Sequence, residues 1–273
     1  MNIKLKKKEK IIVFETIFKN LKNFIKECCL EFNTDGLYIQ GIDPTHAVLI
    51  QLKIVKEWFD LYDVNENNNF GLHCETLFKI INCLKTQENI ELKREENNSE
   101  ILEISFLGND DKISKTFELT EIQIENNKIE IPSNIEYESD LIINTSELSD
   151  IVKELAIFNE NITFCFNEEN LELKTNGTLG NAKILLDNNS IELYQIEEDL
   201  NFELTFSGDF LNNVCCFNKL NKNITISSSQ QYPLKMEYNL DIYHEKEMKK
   251  SDDDDEIITA DSFCTFHIAS IVE

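Results

Sequence analysis

Four histidines, eight cysteines and 51 carboxylates are the residues of this chain with the chemistry of an active site. The histidines stand far apart, at 46, 73, 244 and 267. None belongs to an H-E-x-x-H, and the chain holds no G-x-S-x-G, G-x-G-x-x-G or phosphate-loop motif. No spacing therefore assembles a metal-bound water, an activated serine or a phosphate cradle. The cysteines at 28, 29, 74, 83, 165, 215, 216 and 264 form no C-x-x-C. They read as reduced, buried thiols, with the pairs 28–29 and 215–216 set in helices. The acid run in "HEKEMKKSDDDDEIITADS", 244–262, lacks the ligand spacing and glycine of a calcium loop and is expected to be a disordered surface loop. No catalytic residue, metal or cofactor is assigned, and the chain reads as a non-enzyme. One stretch still invites a partner. "LYIQGIDPTHAVLIQL", 37–52, alternates, breaks at Asp-Pro-Thr-His and turns apolar again. It is either a hairpin with a polar turn or a surface where something docks.

The elements that must position these residues follow from periodicity. Apolar residues recur at i, i+3 and i+4 in 15–29, 75–84, 147–158 and 208–220, which predicts four short amphipathic helices. Thr145 or Ser146 is the expected cap of the third. Segments such as "GLYIQGI", "EILEISFL", "NITFCFN", "NLELKTN" and "PLKMEYNL" alternate with period two between Asn, Asp and Gly turns. The fold class is α+β, with mainly antiparallel sheets. The helices begin near 15, 75, 147 and 208, and Leu37 and Leu52 recur as Leu171 and Leu186 at an offset of 134. A duplicated domain is implied, each half holding two helices with strands. The expected division is 1–118, a connecting strap over 119–137, and 138–273. In the strap Ile122, Ile124, Ile129 and Ile131 alternate with polar residues until Pro132.

Charge narrows the function. The chain has 273 residues, 26 basic against 51 acidic, a net charge of −25. Nucleic acid repels such a protein unless its positive charge is segregated. Lys19, Lys22 and Lys26 fall at i, i+3 and i+7 of the first predicted helix, one stripe. Residues 1–137 carry −7 and residues 138–273 carry −18. No apolar run is long enough to span a membrane, and "MNIKLKKKEKIIVF" lacks a signal-peptide cleavage pattern, so an intracellular protein without a membrane partner is expected. Its lysine-rich start, Lys4 to Lys10, would be a nuclear signal or a DNA contact.

Six stretches in order along the chain resemble the proliferating cell nuclear antigen family of DNA sliding clamps. They are "GLYIQGIDPTHAVLIQL", "EWFDLYDV", "LFKIINCL", "IEIPSNIEY", "GTLGNAKILL" and "YPLKMEYNL". The resemblance is that of a divergent member. It implies two similar domains per chain and three chains joined head to tail, with helices lining a hole through which duplex DNA passes. It implies a processivity factor without catalysis that tethers DNA polymerase and other peptide-motif proteins and is opened by a clamp loader. The expected setting is a nucleus or a viral replication compartment. The competing possibility is a factor of the same fold that holds DNA by charge as a monomer or dimer.

Residue roles follow from the resemblance in the same way. Lys19, Lys22, Lys26, Lys79, Lys85, Lys153, Lys219 and Lys222 would be mobile, sequence-independent phosphate contacts. Glu15 and Thr16 replace a lysine pair usual in the family, and Asp150 and Asp209 replace arginines, so the DNA-facing field should be uneven and weak. A partner's hydrophobic peptide would plug a cleft made by Ile42, His46, Ala47, Leu49, Ile129, Ile131, Pro132, Pro233, Ile268 and Ala269. Serine at 270 replaces the family's proline, and histidine at 267 replaces an aromatic. The subunit contact would pair 112–119 with 177–186 of the next copy through Phe117, Leu119, Leu179 and Ile184, with Val152, Leu155 and Phe158 added from the third helix.

Overall fold

The order β-α-β-β-β-β-β-α-β-β-β occurs twice along the chain. The computed structural model describes residues 1–85, 88–108, 112–124, 128–132, 135–186, 191–241 and 261–271. The first run is β1 (Asn2–Leu5), α1 (Lys8–Asn20), β2 (Glu27–Asn33), β3 (Gly36–Ile42), β4 (Val48–Val55), β5 (Leu61–Asp63), β6 (Asn68–His73), α2 (Cys74–Ile81), β7 (Asn89–Lys93), β8 (Ile101–Leu107) and β9 (Ile113–Thr120). The second is β10 (Ser139–Asn144), α3 (Thr145–Leu155), β11 (Asn161–Phe166), β12 (Leu171–Gly177), β13 (Gly180–Leu186), β14 (Ile191–Ile196), β15 (Phe202–Ser207), α4 (Gly208–Cys215), β16 (Asn223–Ser228), β17 (Leu234–Asn239) and β18 (Phe263–Ile268). Strand order repeats as well. β5-β1-β7-β8-β9 in the first run matches β14-β10-β16-β17-β18 in the second, and β4-β3-β2-β6 matches β13-β12-β11-β15. The resolved ladders are antiparallel.

By contacts the chain forms two units. The first comprises Met1–Gly41, Gln51–Asn127 and Asn239–Cys264; the second comprises Ile42–Ile50, Lys128–Tyr238 and Thr265–Glu273. In the first, α1 buries Val13, Phe14, Ile17 and Phe18, and α2 buries Leu77, Ile80 and Ile81. This is the i, i+3, i+4 stripe of a helix laid on a sheet. Trp58 is fully buried, with the Lys10 ammonium 5.6 Å from its ring centre. The strap begins tightly. The chain's single arginine, Arg94, pairs with Glu121 at 2.7 Å, and Ile122 N–H donates to Gly71 O. A Cβ on Gly71 would lie 2.1 Å from the Ile122 carbonyl oxygen, so this close approach requires glycine. In the second unit, α3 buries Leu148, Ile151, Val152 and Leu155. Phe164 and Phe206 meet edge to face at 5.6 Å, and Phe217 meets Phe266 at 5.0 Å.

Several expectations are corrected. The first helix runs over 8–20, not 15–29, and Cys28 and Cys29 lie in strand β2, whose residues 28–32 are all buried. Lys19, Lys22 and Lys26 therefore share no helical stripe. Lys19 ends α1, Lys22 sits in the 3-10 turn Leu21–Asn23, and Lys26 precedes β2. Cys215 closes α4, whereas Cys216 is its exposed C-cap. Asn144, rather than Thr145 or Ser146, caps α3; its Oδ1 accepts from Ser146 N–H at 2.9 Å and Glu147 N–H at 3.3 Å. The lysine-rich start, whose expected role is unaffected, spans β1, the two residues after it and the first turn of α1, with Lys6, Lys7 and Lys8 exposed. Lys4 pairs with Glu91 at 2.8 Å, and the Lys6 and Lys7 N–H groups donate to Asp60. Most of the acidic segment 244–262 lies outside the described residues.

Candidate functional site: an apolar cleft and two strand edges

The Asp43–Val48 turn is shaped by one carboxylate. Asp43 Oδ2 accepts from the Thr45 N–H at 2.8 Å and its hydroxyl at 2.5 Å, and Oδ1 accepts from Ala47 and Val48 N–H at 2.7 and 2.6 Å. Burial alone would raise the Asp43 pKa; these donors outweigh it and hold the carboxylate below its ordinary range. The clamped turn sets His46 at φ 61°, a left-handed conformation uncommon outside glycine. His46 N–H closes the turn on Asp43 O at 2.9 Å. The position of this histidine thus follows from the turn geometry.

Beside the turn, within the second unit, lies a cleft of about 230 Å³. Ile42, His46, Ala47 and Leu49 line one side; Ile129, Ile131 and Pro132 come from the strap; Pro233, Tyr232, His267 and Ala269 complete it. Nine of the ten cleft residues named from the sequence meet here. Ile268 does not; it is fully buried, because successive β18 side chains alternate and it points with Phe266 into the core while His267 faces the cleft. Glu130, Ile135, Tyr137 and Tyr232 also line the cleft and were not anticipated. Strand parity in "HIA" was the available signal for His267 over Ile268. Burial pushes the His267 pKa down to about 4, with nearby Lys235 adding to the effect against Glu237. The imidazole is therefore neutral near pH 7 and leaves the cleft apolar. Tyr137 is pushed up to about 12, chiefly by burial and then by Glu237 and Asp140.

The strand edges differ between the repeats. In the second unit β18 neighbours β4, with Ala269 N–H donating to Ala47 O at 2.8 Å. By repeat position β18 corresponds to β9 and β4 to β13, yet β9 and β13 each end their sheet. Near these edges Ile113 (56% exposed), Leu179 (96%), Leu185 (57%) and Phe158 (39%) present apolar surface to solvent. The Phe158 ring lies against Gly180, the first residue of β13. Phe117 and Ile184 are half-buried. Val152, Leu155 and Leu119 are corrected: the first two are fully buried in the helix-facing core and Leu119 is 8% exposed, so their side chains are committed within the chain.

Of the eight lysines only 19, 79 and 153 lie in α-helices, whereas 85, 219 and 222 lie beyond the ends of α2 and α4; those at 26, 79, 85, 153, 219 and 222 are exposed and those at 19 and 22 half-buried. Several carry acidic partners: Lys19 with Glu15, Lys22 and Lys79 with Glu75, and Lys153 with Asp150. α4 has no basic residue in its last turn and Asp209 in its first. Among the described residues no group of three or more His, Cys, Asp or Glu is arranged to hold a metal, and no helix is long and apolar enough to cross a membrane.

Two copies of a β-α-β5-α-β3 unit, with antiparallel sheets and two short helices each, define the duplicated DNA clamp fold. The chain belongs to the proliferating cell nuclear antigen family, the sliding clamps and processivity factors of DNA replication: the family's N-terminal domain matches residues 3–128 and its C-terminal domain residues 130–249. Proliferating cell nuclear antigen of Chaetomium thermophilum is 25% identical over 241 residues, covering 85% of this chain and 91% of that protein. The protein of the same name from Dictyostelium discoideum is 25% identical over 236 residues, covering 84% and 91%.

Proposed function

We propose that three copies of this chain join head to tail into a closed ring around duplex DNA. The ring slides and tethers DNA polymerase and other proteins whose hydrophobic peptides plug the cleft at His46, Ile131 and His267. It catalyses nothing itself, has a clamp loader among its partners, and works in the nucleus or a viral replication compartment. The observation that carries this reading is the pair of open edges. The chain already joins β18 to β4, and among the described residues it leaves their repeat counterparts β9 and β13 unjoined. Long open edges flanked by exposed apolar side chains are seldom left uncovered. Pairing β9 of one copy with β13 of the next reproduces the internal junction. Such a contact is heterologous, and it closes when the rotation per copy divides the circle. The number three comes from the family. Topological retention also accommodates the charge of −25, because an encircling ring needs only weak, mobile phosphate contacts.

Light scattering across a gel-filtration column, at several concentrations and moderate salt, tests the assembly. A mass near three times 31.8 kDa, about 95 kDa, supports the ring. A mass of one chain at every concentration overturns it and favours the charge-held monomer, whose DNA affinity would fall steeply with salt.

A further inference from the structure

The lysines offered to DNA are shared with acids of the same surface, and one acid serves two of them. Glu75 stands in the first turn of α2. Its Oε2 lies 3.7 Å from Lys22 Nζ, in the 3-10 turn after α1, and its Oε1 lies 3.7 Å from Lys79 Nζ, one helical turn on. Lys22 Nζ also sits 3.9 Å from the centre of the Phe78 ring. All four residues belong to the first unit. Two cations about one carboxylate present a net charge of one, not two, to an approaching phosphate. Glu75 is 55% and Lys79 71% exposed, while Lys22 is half-buried at 29%, so a phosphate can displace the carboxylate from Lys79 at little cost. The displacement still weakens the contact, because a lysine that already has a fixed counter-ion neutralises a phosphate with less net gain.

We propose that Glu75 is a soft brake on DNA contact: it holds Lys22 and Lys79 in register and lowers their grip on phosphate. The proposal rests on the reading above that these lysines face DNA. The ring face of Phe78 gives Lys22 a second anchor, so removing the Glu75 charge leaves the ammonium in place. Lys19 with Glu15 and Lys153 with Asp150 show the same arrangement on α1 and α3, each within a single helix. Glu75 differs in joining two elements.

The test is fluorescence anisotropy of a labelled linear duplex titrated with the full chain over a salt series. Wild type, Glu75→Gln and Lys79→Gln are compared. Glu75→Gln should bind about eightfold tighter at about 0.1 M salt, with a log–log salt slope steeper by about 0.9, equal to one additional phosphate contact. Lys79→Gln should bind more weakly with a shallower slope. If Lys79→Gln weakens binding and Glu75→Gln leaves affinity and slope unchanged, the lysine contacts stand and the brake is overturned. A tighter Glu75→Gln with an unchanged slope also overturns it, since the gain would not be electrostatic. If neither variant differs from wild type, the helix-face reading fails, and the brake with it.

Discussion

Strands β9 and β18 hold the same place in two copies of one motif, yet they live in different surroundings. β18 has neighbours on both sides, and five of its six residues are buried. Among the described residues β9 has a neighbour on one side only, and Leu119 is its one buried residue. β4 and β13 contrast in the same way, with every second β4 side chain buried and only Leu186 buried in β13. Inheritance of the motif explains the shared strand order; position in the chain explains the difference. β18 of the second repeat pairs with β4 of the first, whereas β9 and β13 end their sheets among the described residues. On the proposed reading, the one internal junction carries the pattern for an external one.

The largest expected effect comes from putting charge on an open edge. Ile113→Asp in β9 or Leu185→Asp in β13 should each abolish self-association while leaving the thermal unfolding midpoint close to wild type, because both residues are exposed. A wild-type mass for either variant would break the correspondence of open with joined edges. The joined side is probed by acid. The His267 pKa is about 4 in the folded chain against an ordinary 6.5, so from pH 6.5 down to 4 the unfolded state takes up a proton that the folded state refuses. Stability is fully present above pH 6.5 and falls by at most about 3 kcal/mol over that window. His267→Gln should flatten the acid limb of a denaturation-midpoint curve, and an unchanged limb would place the titrating group elsewhere. Phe117→Ala removes a ring packed 5.6 Å from Phe106 in a half-exposed strand. It should weaken self-association about tenfold and cost about 1–2 kcal/mol of stability, less than a fully buried phenylalanine. The smallest effect belongs to the cleft. Ile131→Ala should loosen an apolar plug peptide about tenfold by titration calorimetry and leave the assembly mass unchanged, and equal affinity would remove the strap from the site.

How legible these features were depended on burial. α2, α3 and α4 showed their helical stripe because one face of each is wet. α1 was shifted because its apolar spacing runs on through the 3-10 turn into β2, a strand buried from Cys28 to Phe32, which does not alternate. The short strands β1 and β5 gave too few residues for a period to register. The duplication survived these errors, since it rests on offsets between elements and not on their ends. Most of the cleft was reached through family motifs, with Ile268 misplaced by one residue of strand parity. Tyr137, Ile135 and Glu130 converge there only through the path of the strap and its continuation toward β10, which periodicity does not encode. Val152 and Leu155 show the same limit on a helix: apolar residues at core spacing serve their own core before any partner.

A complementation experiment tests the two-edge account most directly. Ile113→Asp leaves the β13 edge intact, and Leu185→Asp leaves the β9 edge intact. Each variant alone should scatter as one chain of 31.8 kDa, and an equimolar mixture should form a species of twice that mass, about 64 kDa, through the one junction that remains. A mixture that stays at the mass of one chain, or a variant that assembles alone, would contradict the claim that β9 of one copy joins β13 of the next.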